Sequence, residues 1–302
     1  MHQRKKTVII IAGPTAVGKT SVAIQVARHF GTEIVSADSR QCFQELNIGV
    51  ARPSLEELAL AKHHFIASHS IKDKVTAATF ENYALDCLNV IFQKQDVGVI
   101  TGGTGLYIKA FVEGMDIIPD VPDEIRKEIN DSYQEKGIHW LQERIRIKDP
   151  LFAEKGEMQN PQRLMRALEV ILATGQSIFN FRSGEKKDRP FNVIKIALDL
   201  PREQLHRNIN TRVDLMMEYG LLEEVRSLIQ WQGLNALQTV GYKELFDHFK
   251  NLLSLQDAVE AIKTHTRQYA KRQLTWFRKD TDYTWLSPNA EKVIQYIESR
   301  MK

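Results

Sequence analysis

Apolar positions along the 302-residue chain change their spacing several times, and each change marks an element. Residues 7–12 (TVIIIA) form a β-branched run that reads as a strand, and residues 21–29 carry Val22, Val26 and Ala27 at helical spacing. A second strand is expected over 33–37, ending at Asp38, then an amphipathic helix over 80–93 and a third strand over 96–101, ending at Gly102. Strands alternating with helices predict a parallel α/β sheet, in which ligands bind beyond the carboxyl ends of the strands. Gly13, Asp38 and Gly102 all fall at such ends. Pro119 and Pro122 interrupt this rhythm, and residues 123–181 show helical spacing only, as in Leu164, Leu168, Ile171 and Leu172. A polar stretch over 183–190 closes that segment. Residues 192–200 (NVIKIALDL) predict a strand returning to the sheet, and from Pro201 onward the pattern is helical. The expected architecture is a core over 1–118 and 190–302, with an inserted helical subdomain over 119–189.

Composition changes this picture little. The chain is 43% hydrophobic and 26% charged, ordinary for a globular enzyme. A formal charge of +3 permits a nucleic-acid partner without arguing for one. With only Cys42 and Cys87, a disulfide framework and a thiolate-rich metal site are excluded. The basic residues 1–6 lead into an apolar run, 8–11, that is too short for a signal-peptide core or a membrane span, so a cytoplasmic protein without a membrane partner is expected.

The strongest chemical signal is Gly13-Pro14-Thr15-Ala16-Val17-Gly18-Lys19-Thr20, which satisfies G-x-x-x-x-G-K-[ST] between a predicted strand and a predicted helix. Glycines let the backbone curl so that successive N–H groups face phosphate oxygens. The helix N-terminus adds partial positive charge, Lys19 neutralises the outer phosphate, and the Thr20 hydroxyl can hold Mg²⁺. The fold class expected from this motif is a P-loop NTPase-like parallel sheet flanked by helices.

Further candidates cluster at the other strand ends. Asp38, in Asp38-Ser39-Arg40-Gln41, can serve as a metal ligand, a general base or simply a helix cap. The Gln41 amide suits an adenine edge. Residues 101–105 (TGGTG) form a second glycine-dense turn. In the insertion, Gln162, Arg163 and Arg166 open a helix. Residues 263–279 hold six Lys or Arg and no acid. As a helix they place Lys263, Arg267, Lys271 and Arg278 on one arc and Ile262, Tyr269 and Trp276 on another, so the aromatics are expected in the core and the basic arc against phosphates. Arg212 carries a planar guanidinium suited to a diphosphate, or to a surface ion pair. His63 and His64 are adjacent and project differently, which argues against a metal pair.

Taken alone, these residues leave open a P-loop small-molecule kinase using ATP and Mg²⁺, or a nucleotide-dependent switch. The combination of blocks goes further. Residues 13–20, 36–41 (SADSRQ), 49–53 (GVARP), 63–64, 102–107 (GGTGLY), 163–170 (RLMRALEV), 240–244 (VGYKE) and 266–278 (TRQYAKRQLTWFR) together resemble the tRNA dimethylallyltransferases, also called isopentenyl-tRNA transferases. The blocks follow family order over nearly the whole chain. The resemblance implies that the P-loop holds the diphosphate of dimethylallyl diphosphate with Mg²⁺, and that the acceptor is the exocyclic amine of the adenine 3′ of the anticodon. It implies that Asp38 takes or orients the amine proton, that Gln41 and Ser39 help recognise the base, and that Arg40 is among the residues binding tRNA. Thr15 and Arg212 would stabilise the leaving diphosphate. Thr104, Arg126, the stretch Gln162, Arg163, Leu164, Met165 and Arg166, and the basic Arg267, Lys271 and Arg278 would contact tRNA. A monomer is expected. Two positions depart from the family pattern: Phe43 stands where Tyr is frequent, and Asn160 where Asp is usual.

Overall fold

The computed structural model describes residues 6–301, so the basic N-terminal stretch lies outside the described residues apart from Lys6. The chain divides into two compact units, one formed by residues 1–114 and 187–302 and the other by residues 115–186.

The first unit begins with β1 (Thr7–Ala12), α1 (Lys19–Phe30), β2 (Ile34–Ser36), α2 (Leu55–Leu60), β3 (His63–His64), α3 (Ala77–Ile91), β4 (Val97–Gly102) and α4 (Gly105–Glu113). The second unit contributes α5 (Asp123–Lys148), α6 (Pro150–Lys155) and α7 (Pro161–Thr174). The chain then returns to the first unit with β5 (Asn192–Leu198), α8 (Arg202–Glu218), α9 (Leu221–Ser227), α10 (Tyr242–Phe249), α11 (Leu255–Phe277), β6 (Thr284–Leu286) and α12 (Ala290–Met301).

The six strands form one sheet in the order β3-β2-β4-β1-β5-β6, and every pairing is parallel. All six residues of β1 and all six of β4 are buried, which explains their unbroken apolar character in place of alternation. Ile9, Ile11, Val99 and Ile196 pack with Val22, Val26, Val293 and Ile297 of α1 and α12 to cover one face. Because the central strands are parallel and in register, Ala12 stands opposite Gly102 on one side and Ala197 on the other, so the loops after β1, β4 and β5 leave from one edge.

Two short strands were not expected. β6 is three half-buried residues that pair with β5, so the helical tail is interrupted by a strand; a run of that length carries no readable period. β3 is the His63–His64 pair itself. The second unit is helical, with its own core of Ile129, Leu141, Ile145, Leu164, Leu168 and Val170. Gly137 (φ 72°, ψ −170°) breaks α5 into two helices, a conformation open to glycine.

Candidate active site

The loop after β1 is shaped by three residues with positive φ: Gly13 (147°), Ala16 (63°) and Gly18 (98°). A side chain at Gly13 would place its Cβ 2.8 Å from the Leu198 carbonyl oxygen of β5, so glycine is required there by space as well as by conformation. Lys19 opens α1, whose first turn holds no acid, leaving the helix N-terminus uncompensated for an anion. Its Nζ donates to the Pro14 carbonyl at 2.7 Å. Burial lowers the Lys19 pKa to about 7; the Asp38 carboxylate opposes that shift and the Arg212 guanidinium adds to it. Lys19 and Asp38 therefore sit close enough to feel each other's charge. Thr20, the predicted metal ligand, lies half-buried in the first turn of α1.

Helix α8 supplies two more groups one turn apart on one face. Asn208 Nδ2 donates to the carbonyl of Ala16 at 3.2 Å and so secures a strained residue of the loop. Arg212 Nη1 reaches Thr15 Oγ1 at 3.4 Å, and burial lowers its pKa. No carboxylate among the described residues forms a direct ion pair with Arg212, although the Glu57 carboxylate opposes the lowering of its pKa. A cleft of about 560 Å³ adjoins it, lined among others by Val17, Ser21, Leu200, Asn208 and Leu215.

Asp38 caps no helix. Its Oδ1 accepts from the backbone N–H groups of Arg40 (2.9 Å) and Gln41 (3.3 Å), closing a turn on itself. Thr104 joins this turn to the one after β4. Its N–H donates to the Ala37 carbonyl (3.1 Å), its Oγ1 accepts from Ser39 N–H (3.0 Å), and its hydroxyl meets Ser39 Oγ (3.3 Å). Gly102 is obligatory, because a Cβ there would stand 2.2 Å from the Ala37 carbonyl oxygen.

Gln41 is placed differently from its expected use on a base. Its Nε2 donates to the carbonyls of Val50 (3.2 Å) and Ala51 (2.8 Å), and its Oε1 accepts from Ser36 Oγ, so the amide braces the following loop. That loop is held from its other side by Glu224, whose carboxylate accepts from the N–H groups of Asn47, Ile48 and Gly49 and from the Tyr242 hydroxyl at 2.6 Å. The 49–53 and 240–244 blocks meet here: a Cβ on Gly49 would lie 2.6 Å from the Tyr242 ring. Phe43 is buried, where an extra hydroxyl would need a partner. His64 Nε2 meets Glu33 and His63 Nδ1 meets the Ala61 carbonyl, and no group of three or more metal-ligating side chains occurs among the described residues.

Helix α11 corrects two expectations. Lys263 is not a free member of a basic arc, because its ammonium lies between Asp214 Oδ1 (2.8 Å) and Glu260 Oε1 (2.9 Å). Arg267 donates to Asn210 Oδ1 and Thr264 Oγ1, Arg278 to Asp199 Oδ2, and Lys271 is exposed. Tyr269 and Trp276 are not core residues either, being 36% and 40% exposed. The Trp276 indole covers Gly105, leaving no room for a Cβ there. The Tyr269 phenol, raised to about 12 by burial and then by the Asp38 carboxylate, lies beside Asp38, Arg40 and Thr104. Of the arc assigned to the core, Ile262 is buried as expected, whereas Tyr269 and Trp276 are partly exposed.

Sequence reasoning also missed Gln273, whose buried amide lies between the P-loop and the turn after β4. A readable signal existed: Gln273 occupies the apolar stripe formed by Ala270 and Phe277.

Within the insertion, Leu164 and Met165 point into that unit's core, so their side chains are unavailable for a tRNA contact. Gln162 and Arg163 are exposed at the start of α7, where Asn160 Oδ1 accepts from both of their N–H groups. Asparagine caps here as aspartate would, without the negative charge. Arg163 pairs with Glu157. Arg126 and Arg166 share Glu169, at 3.4 Å and 3.0 Å. Glu169 is buried in an apolar run and was likewise overlooked.

Fold and site together define a P-loop-type α/β protein with a glycine-shaped loop, two cations and one turn-held carboxylate at the carboxyl edge of the sheet. Residues 41–280 match the IPP transferase family. The tRNA dimethylallyltransferase of Christiangramia forsetii is 48% identical over 295 residues, covering 97% of this chain and 98% of that protein. That of Cytophaga hutchinsonii is 41% identical, covering 98% of each. The solved tRNA isopentenylpyrophosphate transferase of Bacillus halodurans superposes with a TM-score of 0.70 at 31% identity, over 98% of this chain and 96% of the other. A eukaryotic dimethylallyltransferase acting on tRNA gives 0.75 at 25% identity, over 95% of this chain and 75% of the other. The chain belongs to the tRNA dimethylallyltransferase family. No helix among the described residues is long and apolar enough to cross a membrane.

Proposed function

We propose that this protein transfers the dimethylallyl group of dimethylallyl diphosphate to the exocyclic amine of the adenine 3′-adjacent to the anticodon of tRNA, releasing diphosphate. The observation that carries the chemistry is Asp38, fixed by its own turn within electrostatic reach of Lys19 in the phosphate-holding loop.

An adenine amine is a weak nucleophile. As its nitrogen bonds to the allylic carbon and that carbon's bond to diphosphate oxygen breaks, the amine proton passes to Asp38. Lys19, Arg212 and the Thr15 hydroxyl meet the charge that gathers on the leaving diphosphate, and the backbone N–H groups of residues 16–20 hold it. The target base leaves the loop stack to reach this point, which costs stacking but no base pairing. Ser39, Arg40 and Thr104 line its approach to Asp38, while Gln41 supports them from behind. Arg126, Gln162, Arg163 and Arg166 of the insertion, with Arg267, Lys271 and Arg278 of α11, hold tRNA phosphates.

The donor set suits Mg²⁺ delivered with the diphosphate rather than a resident ion: Thr20 offers one hydroxyl, and no cluster of three or more metal-ligating side chains accompanies it among the described residues. When bound there, the ion would neutralise diphosphate charge. In this reading the protein acts as a cytoplasmic monomer.

The test is incubation of the purified protein with Mg²⁺, dimethylallyl diphosphate and unmodified tRNA, with and without ATP, followed by mass analysis of the digested nucleosides. The expected product is an adenosine heavier by one five-carbon unit, formed without ATP. Absence of that product, with ATP consumed on small acceptors instead, would return the loop to the kinase reading.

A further inference from the structure

One side chain connects the two halves of this site. Gln273, 7% exposed on α11, accepts from the Thr15 N–H through Oε1 at 2.8 Å and donates from Nε2 to the Gly103 carbonyl at 3.0 Å. Its orientation is dictated by its partners, since a peptide N–H only donates and a carbonyl only accepts. Gly103 has been cleared for it: a Cβ there would lie 2.1 Å from Nε2. The helix is seated beside this contact by Trp276, whose indole occupies the space over Gly105.

The path continues on both sides. Thr15 presents its hydroxyl to Arg212 at the donor end. Gly103 is followed by Thr104, whose N–H and Oγ1 hold Ala37 and Ser39, the residues that flank Asp38. We propose that Gln273 is a positioning residue that locks the donor loop to the acceptor turn, setting the distance between the diphosphate-holding groups and Asp38. Displacement requires the nucleophile, the carbon and the leaving oxygen to be aligned closely, and misplacement by about 1 Å can cost about a hundredfold in rate. Gln273 needs both a donor and an acceptor, so the amide cannot be replaced by an ionised carboxylate, which would set a negative oxygen against the Gly103 carbonyl.

This inference rests on the transfer reaction proposed above. Its test compares wild type, Gln273→Met and Gln273→Glu as full chains in steady-state assays with dimethylallyl diphosphate, Mg²⁺ and unmodified tRNA. Methionine keeps the volume and removes both hydrogen bonds, so kcat is expected to fall at least about tenfold while each KM stays within about threefold. In Gln273→Glu a protonated carboxyl restores the missing donor, so its activity relative to wild type should be at least about fivefold higher near pH 5.5 than near pH 8.5. A merely space-filling role would leave that ratio flat. A wild-type kcat in Gln273→Met, or a flat ratio in Gln273→Glu, overturns the proposal. If Gln273→Met fails to fold, the Glu variant decides alone, since both of its arms use one folded protein. A wild type that makes no product would sink the transfer reading, and this proposal with it.

Discussion

The cations at the loop after β1 and those of the insertion are held in opposite ways. In the first unit, Lys19 rests on the Pro14 carbonyl and Arg212 on the Thr15 hydroxyl, and neither forms an ion pair among the described residues. In the second, Arg126 and Arg166 lie on Glu169 and Arg163 lies on Glu157. Burying a cation without a carboxylate in direct contact opposes folding, and it makes sense where an anion is to arrive and take up that contact. Arginines paired at the surface cost little to keep, and their charge stays open to a phosphate arriving from water. The first arrangement suits a small, highly charged ligand held tightly during chemistry. The second suits a large polyanion that binds and leaves.

Four measurements sharpen or break that contrast. The largest effect belongs to the carboxylate between the cations and the acceptor. Asp38→Ala should lower kcat by about 10²–10⁴-fold with tRNA affinity retained, and an equal loss in both would make Asp38 structural. Next is the donor loop. Lys19→Ala should lower kcat/KM for dimethylallyl diphosphate by about 10²–10³-fold without lowering Tm, because removing a half-buried cation relieves the fold; unchanged kinetics would refute the loop's role.

The third effect is a pH dependence. Lys19 has a pKa of about 7 in the free protein. A bound diphosphate raises it, so affinity is fully present below about pH 7 and is lost as pH rises above it, by at most about tenfold per pH unit. Calorimetric titration near pH 8 in buffers of different ionisation heat should report proton uptake on binding, and none in Lys19→Arg. The smallest effect concerns tRNA. Lys271→Ala should reduce the slope of log affinity against log salt by about one. Lys263→Ala should leave that slope unchanged, since Asp214 and Glu260 already neutralise this lysine.

The buried parallel strands, the P-loop with its flanking elements and the helical insertion were legible because each rests on local periodicity or a contiguous motif. The partners of Gln273 and Asn208 were not, because they lie far along the chain: Gln273 reaches Thr15 and Gly103 only after α11 has docked. For the same reason, of the α11 arc assigned to the core, Ile262 lies there as expected while Tyr269 and Trp276 do not. Periodicity defines which side chains share a face and says nothing about what that face meets. The free lysine of a basic arc became a neutralised one at Lys263, and a base-reading amide became a loop brace at Gln41, because only packing brought Asp214 to the first and the Val50 and Ala51 carbonyls to the second.

The amino-acid sequence by itself determined the chemistry this protein can hold: a loop whose glycines permit its curl, a lysine and threonine at a helix start, and a carboxylate at a strand end. Tertiary structure decided which charges remain free to act and which side chains bind the two loops together. Backbone conformation and motif are local properties, whereas the partner that neutralises a charge or satisfies an amide arrives from a distant segment only when the sheet and its helices close.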